Sequence, residues 1–314
     1  MPMALILHGG AGRIPDKDVE ATRAGCIEAL QAGWVQLERY ESVSAVAACE
    51  ATVSVLEDHP VFNAGIGSVL NAEGAVELDA AMMDGRTLAY GGVGAVRNVR
   101  NPIRLARQVL QGPATLLVGT GAEQFGMHHG SMPCDPAELI HEGRLEQWQR
   151  HRDRILQRLV GDAQAGAASD AADEAGSHDT VGAIALDHAG ELVAANSTGG
   201  MLCKLPGRVG DTPMIGCGLY ADASVGACVC TGWGESIARL AMARRAVEML
   251  EHGYSPQKAA EFVVAQLSRR ISGGRGGCII LDPLGRVGLA WSTPRMAYAY
   301  RIEGQPMVCG LSSP

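Results

Sequence analysis

Residues 161–176 contain only Gly, Ala, Asp, Ser, Gln and Glu, yet a few residues later the chain enters Thr180-Val-Gly-Ala-Ile-Ala-Leu-Asp187, an almost unbroken apolar run. The first stretch cannot bury enough surface to offset its ordering entropy and reads as a flexible linker over about 161–179. The second reads as a core strand. A polar segment of this kind is in general an inter-domain spacer. Against that reading stands its abrupt end, directly on a core strand and at a threonine.

The flanking sequence mixes helix and strand signals without any internal repeat. Met3–Leu7 is a short apolar run that enters the glycine loop His8-Gly-Gly-Ala-Gly12. Helical spacing follows over about 18–40, with Ala24, Ile27, Ala29, Leu30 and Trp34 on its apolar side. A second helix opens at Ser42 or Ser44 and stops near Glu57, before His59-Pro60. Strands are expected near 76–83 and 92–97, a helix with Pro102 in its first turn, an apolar strand at 115–118, and one long Arg-rich helix over 136–159. After Thr180 the turn His188-Ala-Gly190 makes a hairpin with 191–196. Further strands are read near 213–218, 225–231, 278–282, 286–292 and 297–302, and helices at about 235–251 and 255–269.

Composition removes several classes of function. The formal net charge is −8, only Lys17, Lys204 and Lys258 are lysines, and no basic block stands out, so nucleic acid is not an expected partner. No apolar stretch approaches the ~20 residues that span a bilayer, and Met1–Gly10 does not resemble a signal peptide. Nine scattered cysteines suit reduced thiols rather than a disulfide framework. A cytoplasmic enzyme is the default expectation. The P-loop, the full dinucleotide fingerprint, H-E-x-x-H, C-x-x-C and G-x-S-x-G are all missing; Cys228-x-Cys230 reads as core and His128-His129 as surface.

Hydroxyl and glycine chemistry remains. A threonine inside a chain is a weak nucleophile because its hydroxyl needs a base. A threonine at a chain N-terminus carries one, since the α-amine titrates at ~7.7–8.0 on the same residue. A cut before Thr180 would create that group; otherwise Thr180 is an ordinary strand residue. Thr231-Gly232, just ahead of a helix start near Glu235, offers a hydroxyl and a backbone N–H to a developing oxyanion. Arg208 and Asp211 lie three apart in a glycine-rich turn, as a ligand with both a carboxylate and an ammonium would require, or as a plain surface ion pair.

Seven motifs in one order carry a resemblance over essentially the whole chain: Leu7-His-Gly-Gly-Ala-Gly12, Phe62-Asn-Ala-Gly-Ile-Gly67 with Glu77-Leu-Asp-Ala80, His178-Asp-Thr-Val-Gly182, Ser197-Thr-Gly-Gly200, Leu205 to Pro213, Thr231-Gly-Trp-Gly-Glu235 and Gly273-Gly-Arg-Gly-Gly277. The sequence resembles the plant-type asparaginases, or isoaspartyl peptidases, among the N-terminal nucleophile hydrolases. The resemblance implies an α+β fold, a four-layer αββα sandwich, formed by one domain over 1–314. It implies autocleavage between Asp179 and Thr180, giving mature chains 1–179 and 180–314, and a dimer of such αβ heterodimers.

By the same resemblance Thr180 is the nucleophile, Thr198 orients it, and Thr231 with Gly232 forms the oxyanion hole. Arg208 holds the substrate α-carboxylate, Asp211 its α-amine, and Gly234 and Asn63 lie beside the substrate. The implied substrates are L-asparagine and isoaspartyl dipeptides. No cofactor is implied for catalysis, but the backbone carbonyls of a loop comprising Leu56, Glu57, His59, Phe62, Ala64 and Ile66 would wrap a structural sodium ion. Asp179 stands where many relatives have glycine, and His-Asp-Thr also resembles glycosylasparaginase. A glycosylasparaginase-like amidase, or an uncleaved homologue acting as a binding protein, are the alternatives. Ser292-Thr-Pro-Arg-Met296 is an unusual segment expected near a pocket edge.

Overall fold

The structure is a computed structural model that describes residues 1–39, 44–161 and 180–312. The expected linker beyond residue 161, Asp179, Tyr40 and Ser42 therefore lie outside the described residues. The chain is a mixed α+β fold with two sheets. The larger has eight strands: β1 (Ala4–Gly12), β2 (Leu78–Asp84), β3 (Tyr90–Val96), β4 (Leu116–Val118), β5 (Val181–Leu186), β6 (Leu192–Thr198), β11 (Arg295–Ile302) and β12 (Val308–Gly310). Their order is β12-β11-β1-β5-β6-β2-β3-β4. The smaller sheet orders β10 (Val287–Trp291), β9 (Gly276–Leu281), β8 (Gly226–Gly232) and β7 (Leu219–Asp222).

The apolar run after Thr180 becomes β5, wedged antiparallel between β1 and β6, with His8 opposite Gly182 and Val181 opposite Ser197. Its alternate residues serve two cores. Val181, Ala183 and Ala185 pack with Leu5 and Leu7 towards α1 (Val19–Leu37), α2 (Ser44–Asp58) and α3 (Pro102–Leu110). Ile184 and Leu186 pack with Ala4 and Ile6 against Leu219, Val229, Ile279 and Leu281 of the small sheet. A strand buried on both faces reads as a continuous apolar run rather than an alternating one. A third core lies on the other face of the small sheet, where Cys228, Cys230, Cys278 and Ile280 meet α6 (Gly234–Leu240), α7 (Met242–Glu251) and α8 (Pro256–Arg270).

Several sequence expectations need correction. In α1 the buried side is Thr22, Cys26, Ala29, Leu30, Gly33, Trp34 and Leu37, while Ala24 faces solvent. The strand expected at 213–218 is a turn region with one isolated bridge, and the strand itself starts at Leu219. The single helix expected at 235–251 breaks at Ala241, which adopts a left-handed conformation with φ 49°. The amides of Ala243 and Arg244 there donate to the carbonyls of Cys217 and Gly216 at 3.1 and 2.9 Å, so a tertiary contact replaces the continuous helix. The long helix expected over 136–159 is a short 3-10 turn, Pro136–Leu139, followed by α5 (Glu142–Gly161), because Ile140 is extended. Gly119–His128, not foreseen as a helix, forms α4, and the Glu123 carboxylate secures it by accepting the amides of Arg97 and Asn98 at 2.7 and 3.2 Å.

The contact between α1 and α2 depends on the missing side chain of Gly33. A Cβ there would collide with the Thr52 hydroxyl and stand 2.9 Å from the Ala48 carbonyl oxygen, backbone that cannot rotate away. Gly33→Val is therefore expected to destabilise the fold by about 1–3 kcal/mol through overpacking. Gly121→Ala, whose new methyl meets nothing within 4 Å, is the control. A lowered thermal midpoint for the first and none for the second is the expected result.

Candidate active site

Antiparallel pairing of β5 with β6 and of β6 with β2 fixes three residues at one end of the large sheet. Thr180 immediately precedes β5, Thr198 ends β6, and Asp79 of β2 lies opposite Thr198. The β8 strand of the facing sheet ends in the same region at Thr231-Gly232. Thr180, Thr198, Arg208, Asp211, Gly232 and Gly234 line a single cavity, completed by Gly200, Met201 and Thr212, with a volume of about 10 Å³. That is room for roughly one water molecule.

Thr231 and Asn63 do not line this cavity. Thr231 is fully buried in β8, opposite Gly277. Asn63 is a brace: its side-chain amide donates to the Gly200 carbonyl at 2.7 Å, its side-chain oxygen accepts the Val69 amide at 3.0 Å, and its own carbonyl accepts the Gly199 amide at 3.0 Å. The Thr198 hydroxyl accepts the Gly200 amide at 3.0 Å, holding the same turn from the other side. Residues 292–296 are also absent from the cavity wall; the Ser292 hydroxyl instead accepts the Gly276 amide at 3.1 Å.

Gly232 and Gly234 are glycines for different reasons. Gly232 has φ 133°, a conformation that side chains disfavour. A Cβ on Gly234 would stand 2.8 Å from both the Arg208 guanidinium and the Asp211 carboxylate. Arg208 and Asp211 thus converge on the start of α6. The ion pair that Arg208 makes, however, is with Glu235, through two hydrogen bonds of 2.9 and 2.8 Å. One Asp211 oxygen has no hydrogen-bond partner among the described residues, although the side chain is fully buried. Burial pushes its carboxyl up to about 7, against the pull of the Arg208 charge. An orphaned carboxylate beside a guanidinium, in a cavity lined by three threonines, presents groups that complement a small zwitterion, though the cavity has no room for one as it stands.

Three charged residues under the 204–211 turn had no role in the sequence reading. The buried Lys204 ammonium donates to the Glu77 carbonyl at 2.8 Å. The Glu77 carboxylate accepts the Gly207 amide and two nitrogens of Arg97; burial works against its ionisation, but these bonds carry its pKa below the usual value. Asp79 is fully buried, accepts the Ala95 amide at 2.8 Å and is raised by burial, an effect that Lys204 and Arg208 oppose. Glu77 immediately precedes β2 and Asp79 lies within it, so the start of that strand supports the turn that carries Arg208 and Asp211. His8, buried in β1, is pushed down to about 3 by burial, an effect that the nearby Thr180 backbone opposes, and is a neutral neighbour of that residue. The motifs contained these residues, but only the strand register shows what they meet.

The pattern described as asparaginase matches residues 1–310. A plant-type L-asparaginase of Pyrococcus abyssi is 40% identical over 304 residues, covering 96% of this chain and 97% of its own. An isoaspartyl peptidase/L-asparaginase of Danio rerio is 37% identical over 302 residues, covering 96% and 93%. One of the same name from Bos taurus is 40% identical over 306 residues, covering 97% and 94%. A match of that extent, on a chain four of whose seven motifs line one threonine-containing cavity, places the protein in the asparaginase family.

Proposed function

We propose that the protein is a threonine amidohydrolase that cuts its own backbone before Thr180, then hydrolyses L-asparagine to L-aspartate and ammonia and cleaves isoaspartyl dipeptides. The observation that carries this reading is the meeting of Thr180 and Thr198 with Arg208 and the unpartnered Asp211 in one cavity. Relatives named L-asparaginase and isoaspartyl peptidase support it. The three core clusters support a four-layer αββα arrangement of the N-terminal nucleophile hydrolase type; by the resemblance to its family, one domain over 1–314 would consist of mature chains 1–179 and 180–314 and assemble as a dimer of αβ heterodimers.

In self-processing the Thr180 hydroxyl attacks the Asp179 carbonyl carbon, the Asp179–Thr180 C–N bond breaks, and the nitrogen becomes the free α-amine. The ester left behind is hydrolysed by water, which returns the hydroxyl and leaves a carboxylate on Asp179. The freed amine is then the base for the same hydroxyl. A cavity of about 10 Å³ cannot hold an amino acid, so the site must widen to admit one.

With substrate bound, Arg208 holds the α-carboxylate and Asp211 the α-ammonium, which leaves the side-chain amide facing Thr180. The hydroxyl adds to the amide carbon while the α-amine takes its proton. Thr231 and the Gly232 backbone stabilise the oxyanion. Ammonia, or the distal amino acid, leaves with that proton; water then releases aspartate from the ester. Thr198, braced on Gly200, keeps the nucleophile in place.

The loop containing Leu56, Glu57, His59, Phe62, Ala64 and Ile66 suits a hard cation. The Glu57 carbonyl lies close against Gly65, and the Pro60 and Phe62 carbonyls against Gly67, so backbone oxygens crowd this loop. Those oxygens would hold a structural sodium ion, which supplies rigidity to the segment leading into Asn63 and no chemistry.

Denaturing mass spectrometry is the direct test. The wild-type protein is expected to give a fragment beginning at Thr180, and Thr180→Ala to stay full length and release no aspartate from asparagine. A wild-type chain that remains in one piece after prolonged incubation overturns the reading. The protonation of Asp211 supplies a second prediction. An ammonium is bound by the carboxylate, not the carboxylic acid, so KM for asparagine is expected to rise as pH falls through about 7. The sign for folding is opposite: a carboxyl whose folded pKa exceeds its unfolded value makes the free protein lose stability as pH rises from about 4 to about 7. Asp211→Asn should remove that slope from the pH dependence of urea unfolding.

A further inference from the structure

We propose that the protein has a second binding site, for a small polyanion, in a cleft separate from the Thr180 cavity. The cleft has a volume of about 490 Å³ and opens between residues 13–22, the 59–62 turn and the start of α5. Small-molecule sites commonly run from about 300 to 1,000 Å³. It shares no lining residue with the cavity around Thr180, and nothing in the asparaginase reaction uses it.

The polar lining of the cleft consists almost entirely of donors. Arg13, Lys17, Arg144 and Arg150 surround it. Arg13 and Lys17 make no ion pair among the described residues, and Arg150 has only a loose exposed contact with Glu146 at 3.8 Å. Arg144 is oriented from below by donating to the Val61 carbonyl at 3.0 Å and to the Gln147 side-chain oxygen at 3.2 Å. Two histidines complete the wall. His59 Nδ1 accepts the Val61 amide at 3.3 Å and His141 Nδ1 accepts the Gly143 amide at 3.3 Å. A neutral imidazole that accepts at Nδ1 carries its proton on Nε2 and is a donor there.

The opposing charge is small. Among the described residues Asp18 is the one carboxylate in the lining, Glu28 acts on His59 from α1, and Asp16 is bound to Arg295 at 2.6 Å. Four cations around one cleft are a local concentration in a chain of net charge −8, not a sample of a basic surface. The floor is apolar, formed by the buried Ile14 and Phe62. A ligand that satisfies such a wall needs several acceptor oxygens and at least two negative charges, as in a polyphosphate or a di- or tricarboxylate.

Isothermal titration of the full-length protein with pyrophosphate, and separately with citrate, at fixed ionic strength tests the site. Saturable binding of one molecule per chain is expected, weakened at least tenfold in Arg13→Ala/Lys17→Ala and unchanged in Arg208→Ala. Circular dichroism of the double variant, whose two side chains are exposed, checks that it is folded. Binding of pyrophosphate but not citrate identifies a phosphate ligand, and the reverse a carboxylate. Absence of saturable binding with both probes, equal binding by wild type and the double variant, or loss only in Arg208→Ala overturns the proposal. Because Arg13 and Lys17 lie outside the Thr180 cavity, none of these outcomes depends on whether the chain hydrolyses asparagine.

Discussion

The pairing of β5 with β1 on one side and β6 on the other is the interaction on which the rest depends. It seats Thr180 at the rim of a sheet buried on both faces, with Gly182 opposite His8 and Val181 opposite Ser197. In such a sheet a slip of one residue would exchange every side chain between the two cores, so the register is strongly specified. Ala183 and Ala185 would then face the small sheet, and Ile184 and Leu186 the helices. The position of Thr180 is thus fixed by the burial of the residues after it, whatever precedes it. Under the proposed function Thr180 would draw its base from its own freed α-amine, and His8 on the neighbouring strand is held neutral by burial.

Arg208 and Asp211, the charged residues of the cavity wall, depend on a different constraint, electrostatic rather than steric. Arg208 and Asp211 belong to a turn, and turns are less rigid than strands. This turn is fixed at residue 204 by an ammonium on the Glu77 carbonyl and at residue 207 by the Glu77 carboxylate on an amide. Buried charges of this kind are weak contributors to net stability, because desolvation offsets most of their attraction. Their effect here is geometric. They hold two groups of opposite charge over one small cavity while leaving an Asp211 oxygen unpaired, an arrangement that a fold selected for stability alone would avoid.

What the sequence made legible follows from which forces are local. The core strands were readable because β5 and β6 are apolar in compact runs bounded by turns, and the site residues because they sit in short glycine-containing motifs. The break at Ala241 was not readable: Arg-Leu-Ala-Met carries no glycine or proline, and the cause lies about 25 residues upstream in the carbonyls of Gly216 and Cys217. The same contact explains the false strand at 213–218. That segment folds back as a turn, with the Met214 and Gly218 amides both donating to the Asp211 carbonyl, and presents its own carbonyls to the start of α7. One long-range interaction thus accounts for two local misreadings.

The pairing of Arg208 with Glu235 was equally invisible, since the two are 27 positions apart. It has a consequence for how the site works. A guanidinium engaged in two hydrogen bonds by an exposed carboxylate is oriented without being neutralised from within the cavity. Surface pairs of this sort contribute little to stability, typically about 0–1 kcal/mol, so holding Arg208 in place costs little when a substrate carboxylate arrives. Asp211 is the reverse case: fully buried, raised by desolvation and short of a partner, it gains more from a ligand's ammonium than from anything the protein offers. Under the proposed function, a ligand that carries a carboxylate without an ammonium would leave the Asp211 oxygen buried and unpaired, and would be disfavoured for that reason.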